Sequence, residues 1–254
     1  SNGGGSGKNI IYLTNITPDF IIKNSLNNND KRIDSLKENV EKDLSKIFNS
    51  HKIKFLHDAI NDVRLKYFTQ NVKPFFIPNI QKPDEKYKET TNFYINNIYA
   101  NDIPLSKNKE VVSECSIPIL FKNLITIGYL QVNNKSPMTE KHFNVAKKIA
   151  MVMNDFFLKT NIVEVIEDKF IVYDLSKNGV GVVYKQRTLT RNFQQGGYII
   201  FDIILPGNSK ATIGAIVKNL IFQEGGLIKT GFEFKAMDAI SEVNFEEFLE
   251  NMNQ

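Results

Sequence analysis

Two short stretches carry the side chains best suited to holding a polar ligand: Asp174-Leu-Ser176-Lys-Asn178-Gly179 and Arg187-Thr-Leu-Thr-Arg191. Arginine offers a planar donor fork that pairs with anionic groups and a flat face that stacks on rings; lysine offers neither the fork nor the face. A carboxylate complements it by accepting from ligand N–H groups, which Asp174 can do. Ser176 can bond a base or a phosphate oxygen, and Asn178 sits with them in the loop. Gly179 is expected to permit a positive φ and a close approach of ligand to backbone. The same stretch has a plain reading. Asn178-Gly179 between Phe170–Tyr173 and Val180–Tyr184 signals a hairpin turn, with Asp174 and Ser176 bonding nearby backbone N–H groups.

Arginine is rare in the chain: only Arg32, Arg64, Arg187 and Arg191. The net charge of +4 is mild and does not call for DNA or RNA as a partner. Glu164, Glu167 and Asp168 are grouped, and they read as a solvated cluster rather than an acid–base pair. There is no P-loop, nucleophile elbow or metal-ligand spacing, and His51, His57 and His142 are not spaced as ligands, so no enzyme, metal or cofactor is expected. The single cysteine, Cys115, lies in an apolar run and reads as a buried structural thiol; with no disulfide framework the protein is expected in the cytoplasm. No apolar run approaches the ~20 residues of a membrane span. The longest, around residues 117–132, is broken by Lys122, Asn123 and Gly128. Residues 1–8 read as a linker or expression scar, and no signal peptide is visible.

The elements that must position these residues follow from periodicity. Residues 9–33 form a lead segment, with 24–31 a polar loop. Ser35 and Glu38 make a capping box before a helix over about 35–49. Ile53–Leu56 and Phe75–Ile77 are short strands, and Asp58–Phe68 a short helix with Ile60, Val63, Leu65 and Phe68 as apolar positions. Residues 81–92 read as an exposed loop with room for a helical turn, and Phe93–Tyr99 as a strand or short helix. Cys115–Phe121 and Leu124–Val132 form a hairpin turning at Lys122-Asn123. Thr139 caps an amphipathic helix whose apolar face holds Phe143, Ala146, Ile149, Ala150 and Met153. From residue 162 the period changes to strands: 163–166, 169–173, 180–184, 198–205, 211–220 and 227–234. A final helix over about 241–252 has a face with which to cover an open barrel end. The expectation is an α+β chain of two domains, 34–160 and 161–254.

Asp174-x-Ser176-x-x-Gly179 resembles the second signature of the PilZ family, small β-barrels that bind cyclic di-GMP. Val180-Gly-Val-Val, Gly196-Gly197-Tyr-Ile-Ile-Phe and Thr230-Gly231-Phe-Glu-Phe234 resemble the later PilZ strands, over roughly residues 160–254. The first PilZ signature, Arg-x-x-x-Arg, normally lies upstream of that Asp at the barrel entry. Here no arginine lies between Arg64 and Asp174, while Arg187 and Arg191 lie downstream. Either the arginines have moved to the next loop or the domain is degenerate. Residues 34–160 resemble a GAF-like α/β sandwich in their apolar pattern.

The resemblance implies a bacterial second-messenger receptor that binds cyclic di-GMP through Asp174, Ser176, Asn178, Gly179, Arg187 and Arg191, with Arg64 as a further candidate. Binding would then act through domain rearrangement or a protein partner. Two alternatives stay open: a degenerate PilZ-like adaptor that binds protein without nucleotide, and small-ligand sensing by the GAF-like domain.

Overall fold

A computed structural model describes residues 10–59 and 61–252. The linker expected at 1–8, and Ile60 of the expected helix, lie outside the described residues. The chain divides into two compact units, one from Lys23 to Val163 and one joining the segment before Lys23 to the chain from Glu164 onward.

The second unit is a closed antiparallel barrel of six strands in the order β1-β6-β7-β10-β9-β8. The expected lead segment supplies its first strand, β1 (Tyr12–Pro18), which pairs with β8 (Tyr198–Ile204) and, at Tyr12 and Leu13, with β6 (Phe170–Ser176). A bulge between Thr14 and Thr17 puts Asn15 at φ 52°, and its amide donates to Asp202 at 2.9 Å. Asp202 is buried and also accepts from Thr212 at 2.6 Å, so one carboxylate fastens the bulge to β8 and its neighbour. The remaining strands are β7 (Gly179–Tyr184), β9 (Lys210–Phe222) and β10 (Ile228–Met237). The expected strand at 163–166 is reduced to a single bridge between Ile166 and Ile16.

Inward side chains of all six strands form one core that includes Leu13, Phe170, Val182, Phe201, Ile213 and Phe232. Phe193, which follows the 3₁₀ turn Arg187–Asn192, joins this core against Phe170, Tyr184 and Phe232, with ring centroids 5.4–5.9 Å apart. From the other side the C-terminal helix inserts Phe245 beside Phe234 at 5.6 Å, as the amphipathic pattern of 241–252 predicts.

The unit from Lys23 to Val163 carries a four-stranded antiparallel sheet in the order β2-β5-β4-β3. The chain enters it through α1 (Asp19–Asn28) and α2 (Asp30–Leu44). The loop expected at 24–31 is therefore helical: Ile22, Ser25 and Leu26 repeat at three and four residues and are buried, and this tertiary burial outweighs the run of Asn. Strand β2 (Ser50–Phe55) precedes α3 (Val63–Gln70), which Asp62 caps by accepting from the amides of Arg64 and Leu65. Strand β3 (Phe75–Ile77) follows, then α4 (Lys88–Asn97) and α5 (Ile103–Lys107). The helical turn for which 81–92 has room is formed: residues 85–87 wind as a 3₁₀ turn and 88–92 begin α4, where Thr91, Tyr94 and Ile98 bury one side. The hairpin β4 (Ser113–Phe121) and β5 (Ile125–Asn134) and the helix α6 (Glu140–Lys159), capped by Thr139, stand where the sequence predicts them. Cys115 is fully buried, and burial pushes its thiol pKa up, as expected of a structural thiol. The last described element, α7 (Ala239–Met252), belongs to the barrel unit.

Candidate functional site

The Asp174–Gly179 stretch forms the end of β6, a two-residue turn and the start of β7. Ser176 accepts from the Asn178 amide at 3.3 Å and donates to the Gly179 carbonyl at 3.4 Å. The Asn178 carbonyl accepts from the Phe234 amide at 2.9 Å, which ties the turn to β10. Ser176 and Asn178 therefore do the local work of the hairpin reading. Asp174 does not: among the described residues its exposed carboxylate has no hydrogen bond or ion pair.

Gly179 departs from expectation. Its φ is not among the positive values in the chain. A Cβ at this position would lie 2.6 Å from the Phe232 carbonyl oxygen. Glycine is needed here because β10 passes close, not because the backbone turns left-handed.

The register of β6 on β7 shifts between Val172 and Asp174, so Tyr173 is the extra residue of a bulge. The bulge places Tyr173 and Asp174 side by side on the outer wall. The Tyr173 ring lies on Gly181, where an added Cβ would come within 2.7 Å of Cζ. Tyr173 is still 49% exposed, and Lys229 Nζ lies over its ring, 4.6 Å from the centroid. A half-exposed aromatic ring covered by an ammonium group thus stands beside a carboxylate that is unpaired among the described residues. The next cations along β9 and β10 are engaged: Lys218 and Lys235 both bind Glu233 and hold its carboxyl down at about 2.

Arg187 and Arg191 are not brought to that patch. They lie in the 3₁₀ turn that follows β7, at the opposite end of this strand from Gly179. Arg187 rests over the Phe222 ring at 5.7 Å. Phe222 pairs with Ile228, and Ile228 with Tyr184, whereas Asp174 pairs with Gly181. The two places are therefore roughly 10 Å apart along the strands and roughly 14 Å apart across them. The arginines also separate from each other. At three residues per turn, positions four apart point about 120° away from one another. Arg191 accordingly lines a hollow of about 340 Å³ with Glu164, Glu167 and Asp168, a place that suits a cation better than a phosphate.

Arg64 is a structural residue. It is 1% exposed, and its Nε and Nη2 bind Glu114 at 2.7 and 2.9 Å while Nη1 binds Asp102 at 2.5 Å. Burial works against the cation, but the charge and hydrogen bonds of Glu114 more than offset it and hold the proton more firmly than usual. Glu114 is itself fully buried and also accepts from Tyr94, from Ser116 at 2.6 Å and from Asn133 at 3.3 Å. With all three guanidinium nitrogens engaged, Arg64 has no fork to give a ligand.

Sequence spacing missed one ionisable cluster. Asp30, His57 and Asp58 bring a ligand atom each within 4.8 Å of the others. His57 Nε2 is 2.9 Å from Asp30 and 3.4 Å from Asp58, and Lys37 binds the other Asp58 oxygen at 2.6 Å. The His57 Nδ1 is buried and has no hydrogen-bond partner among the described residues. A metal-bound imidazole normally donates that second N–H to an acceptor, so the donor set fits the lysine-neutralised ion pairs it already makes. Tyr173 and Lys229 were also missed, because only the bulge and the β7–β10 pairing put them beside Asp174.

No family model matches the sequence, and no curated protein matches it. Among solved structures the chain is similar to the Bacillus subtilis inhibitor of motility (MotI/DgrA), at 14% identity over 57% of this chain and 68% of that one, with a TM-score of 0.29. It is also similar to K. pneumonia MrkH in its apo state, at 12% identity over 56% and 68%, with a TM-score of 0.30.

Proposed function

We propose that the barrel is a non-catalytic, cytoplasmic binding module of the PilZ type that responds to cyclic di-GMP. The observation that carries this reading is the exposed Asp174 carboxylate, unpaired among the described residues and set by a bulge beside the half-exposed Tyr173 and Lys229 on a closed six-stranded barrel. In this reading Lys229 swings off the Tyr173 ring, a guanine stacks in its place, and Asp174 accepts from N1–H and the exocyclic amine. Lys229 stands by for a phosphate, and Ser176, Asn178 and Gly179 hold the turn that fixes Asp174. Arg187 is left to a distant second contact, and Arg191, facing carboxylates, takes no part. The unit from Lys23 to Val163 is read as GAF-like, with a structural Arg64–Glu114 centre, and binding at the barrel acts through domain rearrangement or a partner surface.

Calorimetric titration of the full chain with cyclic di-GMP, with GMP and cyclic AMP as controls, tests the reading. Asp174→Ala should weaken binding at least about tenfold, or about 1.4 kcal/mol, with the fold intact. Absence of binding by the wild-type chain, or equal binding by a folded Asp174→Ala variant, refutes it. A second reading, a degenerate barrel that binds protein and no nucleotide, is favoured by the divergence of Arg187 and Arg191. It predicts no heat with any of the three nucleotides.

A further inference from the structure

Between the Ser176–Asn178 turn, the end of β10 and α7 runs a groove of about 910 Å³. Its apolar surface comes from Leu175, Phe234, Met237, Phe245, Leu249 and Met252. Methionines at such a surface adapt to differently shaped apolar partners. The α7 side of the groove is edged by Glu242, Glu246 and Glu250, all exposed and without an ion pair among the described residues, while Lys177 and the Glu233-bound Lys235 line the opposite side.

This rim works against the helix that carries it. Like charges four residues apart repel, and α7 repeats that spacing twice, with Glu247 adding a fourth carboxylate. No basic residue stands in its last turn, where a cation would suit the helix dipole and Glu250 does not. The whole chain carries +4, yet the barrel unit holds thirteen acidic against ten basic residues. A local charge pattern that costs stability and borders an apolar groove is the mark of a surface kept for a partner.

We infer that this groove docks a basic amphipathic helix of a partner protein. Glu242 to Glu250 spans about 12 Å along α7, so lysines or arginines at four-residue spacing on a facing helix match the three carboxylates. The apolar side of that helix then covers Leu249, Phe234 and Met252. An anionic membrane or a nucleic acid is repelled by the three carboxylates of the α7 edge. The inference does not rest on nucleotide binding, since Asp174, Tyr173 and Lys229 do not line the groove.

The test uses the full chain without nucleotide. The probe is a fluorescent 15-residue Leu/Lys helix with lysines every four residues; a Leu/Glu counterpart and a Lys/Ser peptide of equal positive charge serve as controls. Anisotropy should show binding of the Leu/Lys peptide only, weakening as salt rises. The E242Q/E246Q/E250Q variant should bind at least fivefold more weakly and melt at a higher temperature than wild type. M252S should also weaken binding, while the equal charge change E167Q/D168N/E224Q should leave it within twofold. No binding of the Leu/Lys peptide overturns the inference. So does equal binding of the Lys/Ser peptide, or an equal loss in the remote triple variant.

Discussion

Glu114→Gln is the sharpest probe of what Arg64 does. The substitution keeps the side-chain volume but removes the buried charge. Oε1 accepts from Arg64 Nε and Ser116, and Oε2 from Arg64 Nη2, Tyr94 and Asn133. Whichever oxygen becomes an amide nitrogen then faces at least two donors. Arg64 is left buried with Asp102 as its remaining carboxylate. Breaking one side of a buried ion pair costs about 3–5 kcal/mol. For a unit of roughly 140 residues that corresponds to a Tm lower by about 10–15 °C. Calorimetry on the full chain measures the loss, and hydrogen exchange locates it: protection should fall in β4 and β5 and stay level in β8 and β9. Arg64→Met should cost a similar amount, and the double variant Arg64→Met/Glu114→Gln less than the sum of the two. A loss below about 1 kcal/mol would refute the argument, because buried charge loss is not that cheap. An undiminished Tm with weakened cyclic di-GMP binding would instead return Arg64 to the ligand.

Gly179→Ala tests the close-approach account of the motif glycine: with Phe232 O only 2.6 Å from the new Cβ, the β7–β10 pairing must open, at a cost of about 1–3 kcal/mol in urea unfolding. A neutral effect would mean that β10 moves freely there. Acid stability should depend on Asp62 and Asp58. Burial raises both pKa values, but hydrogen bonds from Tyr129 and the α3 amides with the Lys52 charge at Asp62, and Lys37 with His57 at Asp58, bring them below 3.8. Groups with depressed folded values stabilise above their unfolded pKa, and that contribution is lost as pH falls through the lower folded one. Stability should therefore decline below about pH 4, and Asp62→Asn should flatten the decline; an unchanged acid slope in that variant would remove Asp62 from the account.

The sequence alone determined the local elements whose periodicity is strong. The hairpin β4–β5, the helix α6 with its Thr139 cap, the strands β8 to β10 and the closing helix α7 follow from apolar repeats and turn residues that act within a few positions. The hairpin at Asp174–Gly179 was equally legible. Tertiary structure decided what these elements hold together. Strand β1 is separated from its partners β6 and β8 by more than a hundred residues, and no local period ties Tyr12–Pro18 to a barrel. The 3₁₀ winding of Arg187–Asn192 sends apart two arginines that an α-helical spacing would have aligned. Arg64, solitary in the sequence, became a core residue because Glu114, fifty positions away, folds against it. Asp174 gained Tyr173 and Lys229 as neighbours through one extra residue in a strand and a cross-strand register. A bulge turns side chains to a chosen face, and only the paired sheet says which face that is.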